Sequence, residues 1–162
     1  MNYMSNYFIK IVNIKSDKNK KWLLLQKEYL KFLQKWAKVE IIELKGLNYK
    51  NLDKKTLLLK ESQIWQKYID KNLDPLEKVV ALCPQGRNFT TKEFSKFLSK
   101  HQQDHLVFVI GGPYGLTDNI LEKANLKLSL SALTFNHQLA KLVLLEQLYR
   151  GIDLQHQGNY HK

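Results

Sequence analysis

Leu106-Val107-Phe108-Val109-Ile110 is an unbroken apolar run that stops abruptly at Gly111-Gly112-Pro113-Tyr114-Gly115. Such a run is at home only in a strand covered on both faces, which restricts the chain to layered α/β architectures. Other strand-like stretches occur at residues 7–14, which alternates and is β-branched, and at 38–44, 78–83 and 126–130. Between them, Trp22, Leu25, Tyr29, Phe32 and Leu33 recur at helical spacing, as do Leu57, Glu61, Ile64, Trp65 and Tyr68. Alternation of this kind predicts a mostly parallel sheet of about five strands with helices on both faces. Asp53 and Thr117-Asp118 are placed to cap helices, and Thr90 with Glu93 reads as a capping box. Pro84-Gln85-Gly86 is predicted to end the third strand. His137 to Arg150 is apolar nearly all round, so this last helix needs cover on more than one side and predicts a subunit interface. At 162 residues, a single domain over 1–162 is expected.

The glycines narrow the chemistry. At a strand's carboxyl end they let backbone N–H groups approach a ligand, and open sheets bind ligands there. Leu130-Ser131-Ala132-Leu133-Thr134-Phe135 adds small residues and main-chain polar groups without charge, which suits a nucleoside. No Gly-x-Gly-x-x-Gly follows the first strand, no P-loop occurs, and no Gly-x-Ser-x-Gly elbow is present. Cys83 is the single cysteine, which excludes an internal disulfide, argues against structural zinc, and leaves it as a small buried residue. The net charge of +11 favours a polyanionic partner, most simply nucleic acid. The excess is uneven, with 17 basic and 9 acidic residues over 1–78 and 9 and 6 thereafter. The pocket-bearing half is therefore nearly neutral. With no secretory pattern at the start and no long apolar run, a cytoplasmic protein without membrane association is expected.

Three segments taken together are more specific. Val109-Ile-Gly-Gly-Pro-Tyr-Gly-Leu116, Leu128-Ser-Leu-Ser-Ala-Leu-Thr-Phe-Asn-His137 and Leu145-Glu-Gln-Leu-Tyr-Arg150, with the closing Tyr160-His161, resemble the RlmH family of ribosomal RNA large-subunit pseudouridine N3-methyltransferases, within the SPOUT superfamily. The resemblance is dense from Cys83 onward and thinner before it. It implies an α/β knot with a deep C-terminal trefoil, which chain-connection rules alone would disfavour. It also implies S-adenosylmethionine as cofactor, bound by Leu82, Gly111, Gly112, Leu130, Ser131, Ala132, Leu133, Thr134 and Phe135, with no metal. On this reading a side chain added at Gly112 would fill the cradle.

The resemblance further implies a homodimer, in which the knot of one subunit meets the tail of the other, acting on large-subunit ribosomal RNA within the ribosome. Candidates for the chemistry are His137, Glu146, Arg150, Tyr160 and His161. Arg150 pairs with phosphate or an imide anion, Tyr160 stacks on a base, and His161 moves a proton. His137 has a second reading as the cap of the last helix, and Tyr149 reads as packing. Asn136 and Asn159 stand where the family often has proline. Two further functions fit the same residues: an RNA- or ribosome-binding protein that retains the fold without turnover, and a methyltransferase of transfer RNA.

Overall fold

The computed structural model describes residues 7–15 and 19–161. Five strands are present: β1 (Tyr7–Ile14), β2 (Ala37–Leu44), β3 (Glu77–Asn88), β4 (His105–Ile110) and β5 (Leu126–Ser129). They alternate with α1 (Lys20–Leu33), α2 (Lys54–Asn72), α3 (Thr91–Lys100), α4 (Asp118–Leu121) and α5 (His137–Gln155). A 3-10 turn, Tyr49–Asn51, precedes α2. All pairings are parallel, in the order β2-β1-β4-β3-β5.

The apolar run that opened the sequence is the middle strand. From Leu106 to Ile110 no residue of β4 is more than 3% exposed. Leu106 and Phe108 meet Leu33, Leu98, Leu144 and Leu148 in the cluster under α1, α3 and α5. Val107 and Val109 meet Trp65, Tyr68, Ile120 and Leu121 in the cluster under α2 and α4. A two-sided strand needs apolar residues at every position, and that is why β4 does not alternate. Cys83 is buried in the second cluster.

Caps hold the helices where the sequence placed them. Asp53 accepts from the Thr56 N–H at 2.9 Å, and the Thr90–Glu93 capping box is fully formed. Thr117 starts α4 without a side-chain cap bond.

Three expectations need correction. Pro84-Gln85-Gly86 does not end β3: pairing with β5 resumes at Arg87 and Asn88 after a register shift. The strand bulges instead, and a Cβ on Gly86 would lie 2.5 Å from the Leu128 carbonyl carbon, so only glycine fits so close to β5. Secondly, α5 runs past Arg150 to Gln155, and Gly151, Ile152 and Asp153 are buried. Gly151 lets α3 approach, and the Ser95 hydroxyl donates to its carbonyl oxygen at 2.6 Å. Much of the cover that the apolar α5 requires therefore comes from the sheet, α1 and α3 of the same chain. Thirdly, the apolar stripe expected on α1 is not its core face. Of those five residues only Leu33 is buried, beside Gln26, whereas Leu25 and Phe32 are 47% and 44% exposed.

Candidate active site

The carboxyl ends of β3, β4 and β5 converge on a cavity of about 340 Å³. That is the size of a pocket for a nucleoside-like molecule. Leu82 and Cys83 supply one wall, Gly111 to Leu116 a second, and Leu130 to Phe135 a third. Among the described residues no Asp, Glu, Lys or Arg side chain lines it. His137, in the first turn of α5, is on the wall as well.

Each wall is shaped by a local device. A Cβ on Gly111 would sit 2.5 Å from the Gly115 carbonyl carbon and 2.8 Å from the Leu116 nitrogen, so the loop doubles back with no space for a side chain. Gly115 has φ +81°, a conformation that favours glycine, and its N–H donates to the Gly112 carbonyl oxygen at 3.0 Å. On the opposite wall the Ser129 hydroxyl donates to the Ser131 carbonyl oxygen, and the Ser131 hydroxyl accepts from the Leu133 N–H, both at 3.0 Å. Serines thus stiffen the second turn from within. The surface offered to a ligand is main chain plus apolar side chains: a floor for a ring and directional donors and acceptors for its edge. Of the expected cofactor contacts, all but Ala132 line the cavity.

A family model described as "Predicted SPOUT methyltransferase" matches residues 8–161. The chain belongs to the SPOUT methyltransferase family. It is 36% identical to the ribosomal RNA large subunit methyltransferase H of Caldicellulosiruptor bescii, over 95% of this chain and 99% of that one. The protein of the same name from Dictyoglomus thermophilum is 38% identical over 94% and 98% of the two chains, and that from Enterococcus faecalis 37% over 95% and 99%. A probable methylase family protein from Haemophilus influenzae has a similar fold: TM-score 0.58 at 15% identity, covering 97% of this chain and 71% of that one.

The expected catalytic residues of this SPOUT methyltransferase form two separate groups. His137 is on the cavity. It does not cap α5, because Asn136 does so by accepting from the Leu139 N–H at 2.9 Å. Glu146, Arg150 and Tyr160 cluster with the tail at the other end of α5. Glu146 Oε1 accepts from Arg150 Nε at 2.8 Å, and the guanidinium lies 4.6 Å from the centre of the Tyr160 ring. Tyr160 N–H donates to Asp153 Oδ2 at 3.1 Å, so the tail is tied down rather than frayed. Burial pushes the Tyr160 phenol up to about 12, with the Tyr29 hydroxyl adding to the shift. At neutral pH it is a neutral donor and stacking surface, not a base. His161 Nδ1 is buried and has no hydrogen-bond partner among the described residues. Thirteen residues of helix separate His137 from Arg150, about 20 Å at 1.5 Å per residue.

Sequence reasoning passed over a buried polar seam beside the cavity. Lys141, 1% exposed, donates to Asn13 Oδ1 at 3.1 Å and pairs with Glu43 at 3.5 Å. Burial pulls its pKa down, and Glu43 partly offsets this. Gln26 and Gln138 bond each other at 3.3 Å between α1 and α5. The available signal was a lone lysine inside an apolar helix. Among the described residues no group of acids, histidines and cysteine is placed to hold a metal ion. None of the helices described is long and apolar enough to cross a membrane.

Proposed function

We propose that this chain, as a single SPOUT domain over 1–162, transfers methyl from S-adenosylmethionine to N3 of a pseudouridine in large-subunit ribosomal RNA, on the assembled ribosome in the cytoplasm. The observation that carries the reading is the uncharged cavity walled by two short turns at the ends of β4 and β5. Relatives that match this chain along nearly their whole length carry the large-subunit RNA methyltransferase name.

When bound, the cofactor supplies an electrophilic methyl group. The protein's part is alignment. Leu82, Gly111, Gly112, Leu130, Ser131, Leu133, Thr134 and Phe135 would hold the donor, largely through main-chain groups. In-line transfer needs the accepting nitrogen, methyl carbon and sulfur on one axis, and a rigid main-chain cradle fixes two of the three. The imide must also lose its proton. His161 accepts that proton, Arg150 stabilises the anion while Glu146 orients its guanidinium, and Tyr160 stacks on the base.

These roles require a homodimer. Within one chain Arg150 lies 13 positions along α5 from His137 at the cavity, about 20 Å, so a second copy is the natural source of a tail at the cavity. Two features support such a partner. Leu23, Leu24, Leu25 and Phe32 expose an apolar face on α1, between 44% and 63% open. Leu139, Leu142 and Val143 on α5 are only half-buried. The trefoil knot is part of the same proposal and rests on family membership. The +11 charge supplies attraction to RNA phosphates.

The test is to incubate the protein with methyl-labelled S-adenosylmethionine and purified ribosomes or transfer RNA, then identify the labelled nucleoside by mass spectrometry. A single N3-methylpseudouridine in large-subunit RNA is expected. Label in transfer RNA, or none in either, overturns the proposal.

A further inference from the structure

Against the back of the glycine loop lies a carboxylate with no role in the account so far. Glu61, on α2, is 2% exposed. Its Oε1 accepts from the Tyr49 hydroxyl at 3.1 Å. Its Oε2 is buried without a hydrogen-bond partner among the described residues. A Cβ on Gly112 would lie 2.4 Å from Oε1 and 2.8 Å from Oε2, so the carboxyl group packs directly on the Gly112 main chain. A side chain at 112 would therefore meet Glu61, and the expectation that it would fill the cradle is corrected. Among the described residues no lysine, arginine or histidine forms an ion pair with Glu61.

A buried carboxylate with one oxygen unpaired is costly, and a fold has no structural reason to keep it where glutamine or leucine would serve. Burial pushes its pKa up, because desolvation disfavours the charged form, and the Tyr49 hydrogen bond partly offsets this. Tyr49, its one donor, is itself raised to about 12 by burial first and then by Glu61, and so cannot supply charge. The cavity that Gly112 lines has no charged side chain among the described residues. Lys54 lies 5.5 Å from the ring centre of Tyr114, but that lysine and half of that ring are exposed, and water screens it. Glu61 thus places a carboxyl group with one uncompensated oxygen directly behind the cradle, and a cation in the cradle favours its ionised form. The methyl donor is a sulfonium cation, and the product left after transfer is the same molecule with an uncharged thioether.

We propose that Glu61 is a positioning and selectivity residue: its buried carboxylate, acting through Gly112, makes the cradle hold the cationic methyl donor more tightly than the uncharged product. The inference rests on the reading that the cavity takes S-adenosylmethionine. An uncharged cradle distinguishes the two molecules, which share the adenosine and amino-acid parts, only through its main-chain dipoles. A charge behind it does so directly, and release of product after each turnover follows from the same preference.

The experiment is calorimetric titration of the full chain with S-adenosylmethionine and S-adenosylhomocysteine, for the wild type, Glu61→Gln and Tyr49→Phe. Glu61→Gln preserves shape and removes charge. It should weaken the donor about tenfold or more, less than a direct charge pair would give because Gly112 lies between the charges, and leave the product within about twofold. Tyr49→Phe keeps the charge and should keep the wild-type ratio. In the wild type the amine analogue sinefungin, which needs no variant, should also bind more tightly than S-adenosylhomocysteine. Equal weakening of donor and product in Glu61→Gln, an unchanged ratio, or equal binding of sinefungin and product overturns the proposal. A wild type that binds none of the three ligands overturns the methyl-donor reading itself.

Discussion

Gly111→Ala is the smallest change that tests the cradle. The added carbon would sit 2.5 Å from the Gly115 carbonyl carbon and 2.7 Å from its oxygen, against about 3.4 Å for ordinary contact. Both neighbours are backbone, so relief requires the loop to move by nearly an ångström. Overpacking of this size costs about 1–3 kcal/mol. If the loop yields in the free protein, that strain returns when the ligand demands the original shape, and affinity for S-adenosylmethionine falls by about 5- to 150-fold at about 1.4 kcal/mol per decade. If the loop holds, the strain appears as lost stability, about 2–4 °C in Tm per kcal/mol for a chain of this length. Calorimetry and thermal unfolding on the same preparation cover both cases. Wild-type affinity together with wild-type Tm would refute the reasoning, because the close approach of the two glycines would then have no consequence.

Other outcomes follow from the same structure. Leu148→Ala, at a fully buried position under α5, should cost about 2–5 kcal/mol in urea unfolding, and a loss under 1 kcal/mol would place that helix wrongly. His161→Ala should leave affinity for S-adenosylmethionine intact and lower methylation of ribosomes; parallel loss of both would mean that the tail belongs to the cofactor site. Burial raises the Glu61 carboxyl above its ordinary 4.5, so the folded protein takes up that proton more readily than the unfolded chain. Stability is therefore lost as pH rises through the folded-state value and is fully recovered below about 4.5. Glu61→Gln should be the more stable protein at neutral pH, with an advantage that shrinks on acidification; a pH-independent difference in Tm would contradict this.

Most of the sheet was legible because β4 and its neighbours follow one rule: strands buried on both faces are apolar throughout. Capping was legible at Asp53 and Thr90, where side chain and backbone satisfy each other within three residues. Long-range packing was not. Gly151 looks like a helix stop and is a contact with α3. Gly86 looks like a strand end and is a close approach to β5. The stripe on α1 was misread because its inner face includes Gln26, paired with Gln138 from 112 residues away. The cavity walls were legible from composition, since walls built largely of main chain leave a signature of glycine and serine. Glu61 was visible only as an acid in an otherwise apolar stripe, and nothing local reveals that its carboxyl reaches Gly112.

The central claim is that main chain at the ends of β4 and β5 grips the methyl donor. Amide chemical shifts recorded on the nitrogen-15-labelled protein during titration with S-adenosylmethionine test it most directly. The largest changes should fall on Gly111, Gly112, Ser131 and Leu133, with α2 beyond Glu61 and the amino ends of the strands unmoved. Saturable shifts centred anywhere else would contradict the account.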